Sequence, residues 1–298
     1  MKKLVTLICF SLLLQTVTGQ KLNKIVDPGA QVKKLSGGFS FTEGPAADQQ
    51  GNVFFTDQPN NKIYKWTLDG KLLLFHDDGG RANGLYFDGN GNLVSCSDLK
   101  NELWSFDKLG YPTVLVSEYQ GKRLNGPNDL WIHPNGGIYF TDPLYPRSYW
   151  TDREGKMLQD GQHVYYLSPD RQSLIRVTTD LEQPNGIIGT PDGKLLYVAD
   201  IKAGKTYSYK ILPDGTLTEK KLFAPMGSDG MTIDSKGNIY LTGKGVTIFD
   251  PRGNKLGNIP VDARWTANVC FGGKDRKTLF ITASESLFSL KMKVKGIK

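Results

Sequence analysis

Short apolar runs recur along this chain at regular intervals, and they come in pairs. The first of each pair is Val53-Phe54-Phe55, Leu93-Val94, Ile138-Tyr139-Phe140, Leu195-Leu196-Tyr197-Val198, Ile239-Tyr240-Leu241 or Leu279-Phe280-Ile281. Each closes on a small residue: Thr56, Ser97, Thr141, Ala199, Thr242 or Thr282. The second alternates apolar and polar residues, as in Lys62-Ile63-Tyr64-Lys65-Trp66, Glu102-Leu103-Trp104-Ser105-Phe106 and Val164-Tyr165-Tyr166-Leu167. Tyr207-Ser208-Tyr209, Val246-Thr247-Ile248-Phe249 and Leu287-Phe288-Ser289-Leu290 repeat it. A period of two is the signature of a half-buried strand. Turn dipeptides such as Asp69-Gly70 and Asp214-Gly215 separate the strands. Helical periodicity is not found after the N-terminal segment.

A second pattern runs in phase with the strands. The short motifs beginning at Glu43, Asn83, Asn128, Asn185, Asp229 and Asn268 lie 40, 45, 57, 44 and 39 residues apart. Eight residues after each start stands a turn glycine (Gly51, Gly91, Gly136, Gly193, Gly237), except in the last unit, which has Arg276. Repeats of about 40–50 residues, each holding several short strands, predict the blades of a β-propeller. The fold class predicted is all-β: a six-bladed β-propeller with a central metal site. A β-sandwich would not explain six in-phase units. Residues 22–39 precede the first motif and are expected to supply the outer strand of the last blade. The longer third interval places an inserted loop at residues 143–162, rich in Tyr, Trp, Arg and Pro, as a lid or rim.

The N-terminus is a separate matter. Lys2 and Lys3 precede eleven apolar residues, Leu4 to Leu14, and Val17-Thr18-Gly19 suits a cleavage site. This is the layout of a secretory signal peptide, and eleven residues are too few to span a bilayer. The division expected is a signal peptide at 1–19 and one propeller domain at 20–298, located in a periplasm or secreted. No membrane association is expected after cleavage. Loss of Lys2 and Lys3 takes the formal charge from +7 to about +5, scattered rather than striped, so a nucleic-acid partner is not expected. Export permits a disulfide, but Cys96 and Cys270 are read as two buried, unpaired thiols in comparable strands. His76, His133 and His163 lack zinc-ligand spacing.

In a propeller, equivalent positions near the innermost strands converge on the axis. The six motif starts all carry a side-chain oxygen, two as carboxylates and four as amides. Hard oxygen donors of this mix suit Ca²⁺, with Mg²⁺, Mn²⁺ or Zn²⁺ as other candidates. Glu43 and Asp229 would balance a divalent charge; without it they repel, and one tends to hold a proton. Asn and Asp before Gly are also common turn residues, which is the competing explanation of the pattern. Glu43 is not explained that way.

Glu43-Gly44-Pro45, Asn128-Asp129, Asp142-Pro143, Pro184-Asn185-Gly186 and Ser228-Asp229-Gly230-Met231 together resemble the senescence-marker/gluconolactonase (regucalcin-like) family. The resemblance implies one catalytic divalent metal and hydrolysis of a small-molecule lactone, most readily a sugar lactone. It implies Glu43, Asn185 and Asp229 as metal ligands, with Asn128 near the metal, touching substrate and completing coordination. Two positions depart from the family. Gly126 stands where animal members have arginine, although Arg123 is near. Ser97-Asp98-Leu99 stands where many bacterial members carry a histidine. Asp229 is the candidate general base, Asn83 and Asn128 orient the lactone, and Tyr145, Arg147, Tyr149 and Trp150 cover it from the inserted loop. Two other readings stay open: a non-enzymatic ligand-binding propeller with a structural calcium, and a paraoxonase-like or strictosidine-synthase-like propeller enzyme.

Overall fold

Val53–Asp57 and Ile138–Asp142 are buried along their whole length. A strand of a four-stranded sheet is covered on both faces only when another sheet packs on each side. The computed structural model, which describes residues 22–153 and 155–297, meets that demand by stacking six four-stranded antiparallel sheets in a ring. The segment read as a signal peptide lies outside the described residues.

The first five blades each use four consecutive strands. Blade 1 is Thr42–Ala47, Val53–Asp57, Lys62–Trp66 and Leu72–His76, and blade 2 is Ala82–Phe87, Leu93–Ser97, Glu102–Phe106 and Pro112–Val116. Blade 3 is Leu130–Ile132, Ile138–Asp142, His163–Leu167 and Leu174–Thr178. Blade 4 is Pro184–Gly189, Leu195–Asp200, Lys205–Ile211 and Leu217–Ala224, and blade 5 is Met231–Ile233, Ile239–Gly243, Gly245–Phe249 and Lys255–Ile259. Blade 6 is Thr266–Gly272, Thr278–Ala283 and Ser286–Lys291, closed by Lys33–Gly37 from the N-terminal side. Lys33 pairs with Ser289 and Gly37 with Ser286. Ring closure therefore joins the two ends of the chain, as expected from residues 22–39.

Two of the small residues that close the second strands tie neighbouring blades together. Thr56 Oγ1 donates to Asn83 O of the next blade at 3.3 Å, and Thr242 Oγ1 to Ala267 O at 2.7 Å. The turn glycines Gly51, Gly91, Gly136, Gly193 and Gly237 all have positive φ. Arg276, which stands in their place in the last unit, has φ 57°, so the left-handed turn survives without its glycine. A two-stranded ribbon, Glu118–Tyr119 with Lys122–Arg123, was not expected from the pattern. Cys96 and Cys270 are both free, as read. The rest of that reading needs correction. Cys96 is on the buried second strand of blade 2, while Cys270 is half-buried on the innermost strand of blade 6. The misreading arose because both sit in apolar runs, and periodicity does not tell one strand of a blade from another.

Candidate functional site

The motif pairs Asn83-Gly84, Asn185-Gly186 and Asp229-Gly230 are not hairpin turns. Glu43, Asn83 and Asn185 lie within innermost strands, and Asp229 lies just before one. Their glycines are required because neighbouring innermost strands nearly touch around the axis. A Cβ on Gly44 would stand 2.0 Å from Asn83 O, and one on Gly186 would stand 2.8 Å from Asp229 O. Packing around a narrow channel thus accounts for the glycines, and it brings the residues before them to one mouth.

Three of the predicted ligands meet there. Asn185 Nδ2 donates to Asp229 Oδ1 at 2.9 Å and to the Tyr145 hydroxyl at 2.7 Å. This leaves Asn185 Oδ1 buried without a hydrogen-bond partner. A buried acceptor left unmade costs on the order of 1–3 kcal/mol. Glu43, 3 % exposed, is close enough to Asp229 for that charge to raise its carboxyl well above the ordinary range, with burial as the larger cause. Asp229 is itself raised to about 6, by burial, against hydrogen bonds from Trp265 and Asn185 and the nearby Arg147 charge. Two carboxylates in mutual repulsion beside an orphaned amide oxygen fit a hard cation. Among the described residues no three His, Cys, Asp or Glu side chains converge as a metal site; the two carboxylates here are supplemented by amides.

The other predicted residues take up different places. Asn83 and Asn128 are both 5 % exposed. Asn128 is held through its backbone, which accepts from Gly84 N and donates to Thr141 O. Asn268 leaves the mouth: its amide turns to Asp129 Oδ2 at 3.5 Å, one layer into the channel. Arg123 is taken by Asp152 at 2.7 Å on the exposed surface and plays no part at the mouth. The inserted loop does cover the mouth. Tyr145 reaches Asn185, while Arg147 Nε and the Tyr149 hydroxyl both donate to Asp98 Oδ2. Two contributors were missed. Trp265 Nε1 donates to Asp229 Oδ2 at 2.6 Å, and Asp98 collects the loop. Trp265 stands three residues before the sixth motif start, a register in which no other unit signals function.

Beyond Asp129 and Asn268 the channel opens into a cavity of about 840 Å³ lined by Leu85, Leu130, Trp131, Ile187 and Met231. Glu43, Asn185 and Asp229 do not line it, so the cavity and the carboxylate site lie on opposite sides of the Asp129–Asn268 layer. Burial raises Asp129 to about 8. It also raises Asp142 to about 7, although two backbone N–H groups bind that carboxylate. Both folded-state values exceed the ordinary value, so the native state binds the extra protons. The associated stability is complete below about pH 4 and is lost as pH rises through about 7 and 8. Metal-free protein is therefore expected to melt about 5 °C or more lower at pH 8 than at pH 5. A scanning-calorimetry series in chelator tests this, and a melting temperature that rises over the interval contradicts it.

The SMP-30/gluconolactonase/LRE-like family profile matches residues 41–285. The chain belongs to this family. It is 29 % identical to the gluconolactonase of Zymomonas mobilis, over 93 % of this chain and 85 % of the relative. It is 27 % identical to the lactonase drp35 of Staphylococcus haemolyticus, over 84 % of this chain and 76 % of the relative. The solved structure of a gluconolactonase from Xanthomonas campestris superposes with a TM-score of 0.83 at 30 % identity, covering 91 % of this chain and 92 % of that one. All family motifs used above fall within the matched span, including Glu43, Asn128, Asn185 and Asp229.

Proposed function

We propose that this family member is an exported, metal-dependent lactone hydrolase acting on sugar lactones. The observation that carries the metal is the orphaned Asn185 Oδ1 beside the two carboxyls Glu43 and Asp229, both raised chiefly by burial. The reaction class is supported by the lactonase and gluconolactonase relatives. Glu43, Asn185 and Asp229 would hold the ion, Ca²⁺ by preference for oxygen donors, with Asn128 completing the set. When bound, the ion would polarise the lactone carbonyl and offset the charge growing on its oxygen.

The chain's own groups supply the rest. Tyr145 accepts from Asn185 and keeps its proton, because burial and the Asp229 charge raise the phenol well above its ordinary value. It is thus a donor toward the bound ester. Asp229 has two donors on four lone-pair sites, so it can still accept the proton of the attacking water. Water oxygen bonds to the carbonyl carbon, the ring C–O bond breaks, the alkoxide takes a proton, and a hydroxy acid leaves as its carboxylate with net release of one proton. Asn83 and Asn128 orient the ring hydroxyls.

Proton release from D-gluconolactone and from other aldonolactones, by protein stripped with chelator and resupplied with Ca²⁺, Mg²⁺, Mn²⁺ or Zn²⁺, tests the proposal. Turnover that appears only on metal addition is expected. Equal turnover in excess chelator overturns the metal requirement. Absence of turnover with every pair, with metal bound, favours a ligand-binding propeller.

A further inference from the structure

The second strand of each of the first four blades is followed or closed by an aspartate: Asp57, Asp98, Asp142 and Asp200. Three of them do the same job. Asp57 accepts from Ser40 N and Phe41 N at 3.0 and 3.1 Å, Asp142 from Asn125 N and Gly126 N at 2.9 and 2.8 Å, and Asp200 from Glu182 N and Gln183 N at 2.8 and 3.0 Å. Each thereby fixes the segment entering the innermost strand of its own blade. Asp98 does not. In blade 2 the corresponding Arg81 N donates to Asn61 Oδ1 instead, and Gly80 O accepts from Leu99 N and Ser97 Oγ. With the loop held by other groups, the Asp98 carboxylate is released from anchoring.

Its Oδ2 takes three side-chain donors: Arg147 Nε at 2.8 Å, Gln58 Nε2 at 2.9 Å and the Tyr149 hydroxyl. Its backbone carbonyl takes Trp150 Nε1 at 2.9 Å. The carboxylate is 5 % exposed and the Arg147 side chain 25 % exposed. Gly126 makes this arrangement possible, since a Cβ there would stand 2.8 Å from Asp98 Oδ1 and 3.2 Å from the Trp150 ring. Hence no side chain can enter the mouth from position 126, and the cation above Glu43 and Asp229 comes from the inserted loop instead. Arg147 spends only Nε on Asp98 and lies 5.5 Å over the Tyr145 ring; among the described residues its two Nη groups have no hydrogen-bond partner and remain donors for a ligand.

We infer that Asp98 is a positioning residue that holds Arg147 over the mouth so that its Nη groups bind the hydroxyls of a sugar lactone, giving preference over unsubstituted lactones. This rests on the lactonase reading above. A charge-assisted bond made to a substrate hydroxyl is worth roughly tenfold or more in discrimination. A carboxamide at 98 keeps the size but removes the charge that orients the guanidinium.

The test compares D-glucono-1,5-lactone with δ-valerolactone, which has the same ring without hydroxyls, for wild type, Asp98→Asn, Arg147→Met and the double variant. The ratio of kcat/KM values, gluconolactone over valerolactone, is expected to fall about tenfold or more in Asp98→Asn, mainly through KM for gluconolactone. The double variant is expected to match Arg147→Met, because both changes remove one interaction. A ratio that stays within about twofold, or losses that multiply in the double variant, overturns the inference. Should Asp98→Asn not accumulate as folded protein, Asp98→Glu, which keeps the charge but displaces it, is expected to lower the ratio as well, and an unchanged ratio in Asp98→Glu or in Arg147→Met overturns the inference. Wild type inactive on both lactones overturns the lactonase reading and this inference with it; an active wild type with an unchanged ratio in the variants overturns the inference alone.

Discussion

Asp229→Asn is expected to lower kcat for lactone hydrolysis by about 10³-fold or more while leaving the fold intact. The expectation follows from the two tasks assigned to one carboxylate. Removal of a general base alone costs about 10²–10⁴-fold, and loss of one of two charged ligands weakens the cation as well. The fold should survive because the amide is isosteric: its oxygen still accepts from Trp265 Nε1, which stands 2.6 Å from Asp229 Oδ2, and only the 2.9 Å bond from Asn185 Nδ2 to Oδ1 is given up. Far-ultraviolet circular dichroism and melting temperature monitor the fold; a Michaelis analysis at saturating metal gives kcat. A variant within tenfold of wild type under those conditions would remove Asp229 from the chemistry.

Glu43→Gln is expected to change stability in opposite directions with and without metal. In chelator at pH 8 the substitution removes a buried charge that faces Asp229, so the variant should melt higher than wild type. With metal the order reverses, because wild type gains more from the ion. At a hundred times its dissociation constant a bound ion stabilises by about 2.7 kcal/mol. For a chain of this size that is about 5 °C in Tm. The wild-type gain should also grow from pH 5 to pH 8, since protons compete with the ion for the same carboxylates. Differential scanning fluorimetry at both pH values, with chelator or excess Ca²⁺, reads all four combinations. A Glu43→Gln protein stabilised by Ca²⁺ as much as wild type would place the ion elsewhere.

The propeller was legible because its evidence is periodic. Strand pairs such as Val53–Phe55 with Lys62–Trp66 repeat in phase six times, and the phase alone puts Glu43, Asn185 and Asp229 near one axis. The glycines after them were ambiguous in sequence, where Asn-Gly reads as a turn. Only the close approach of neighbouring strands, such as Asn83 O against Gly44, reveals a packing requirement. Contributors from outside the repeat register were harder to see. Trp265 bonds to Asp229 from a non-repeating segment. Asp98 looks in sequence like Asp57 and Asp142; its difference lies in Asn61, which takes over the anchoring of Arg81 N from another blade. Asn268 illustrates the reverse case, a residue in register whose side chain turns inward to Asp129. Sequence phase locates backbone positions, whereas side-chain direction depends on local partners.

The channel-mouth site is tested most directly by crystals of the protein grown with Mn²⁺ and measured for anomalous scattering. The account predicts one strong peak within bonding distance of Glu43, Asn185 Oδ1 and Asp229. A strong peak at other residues, with none beside this trio, would contradict it.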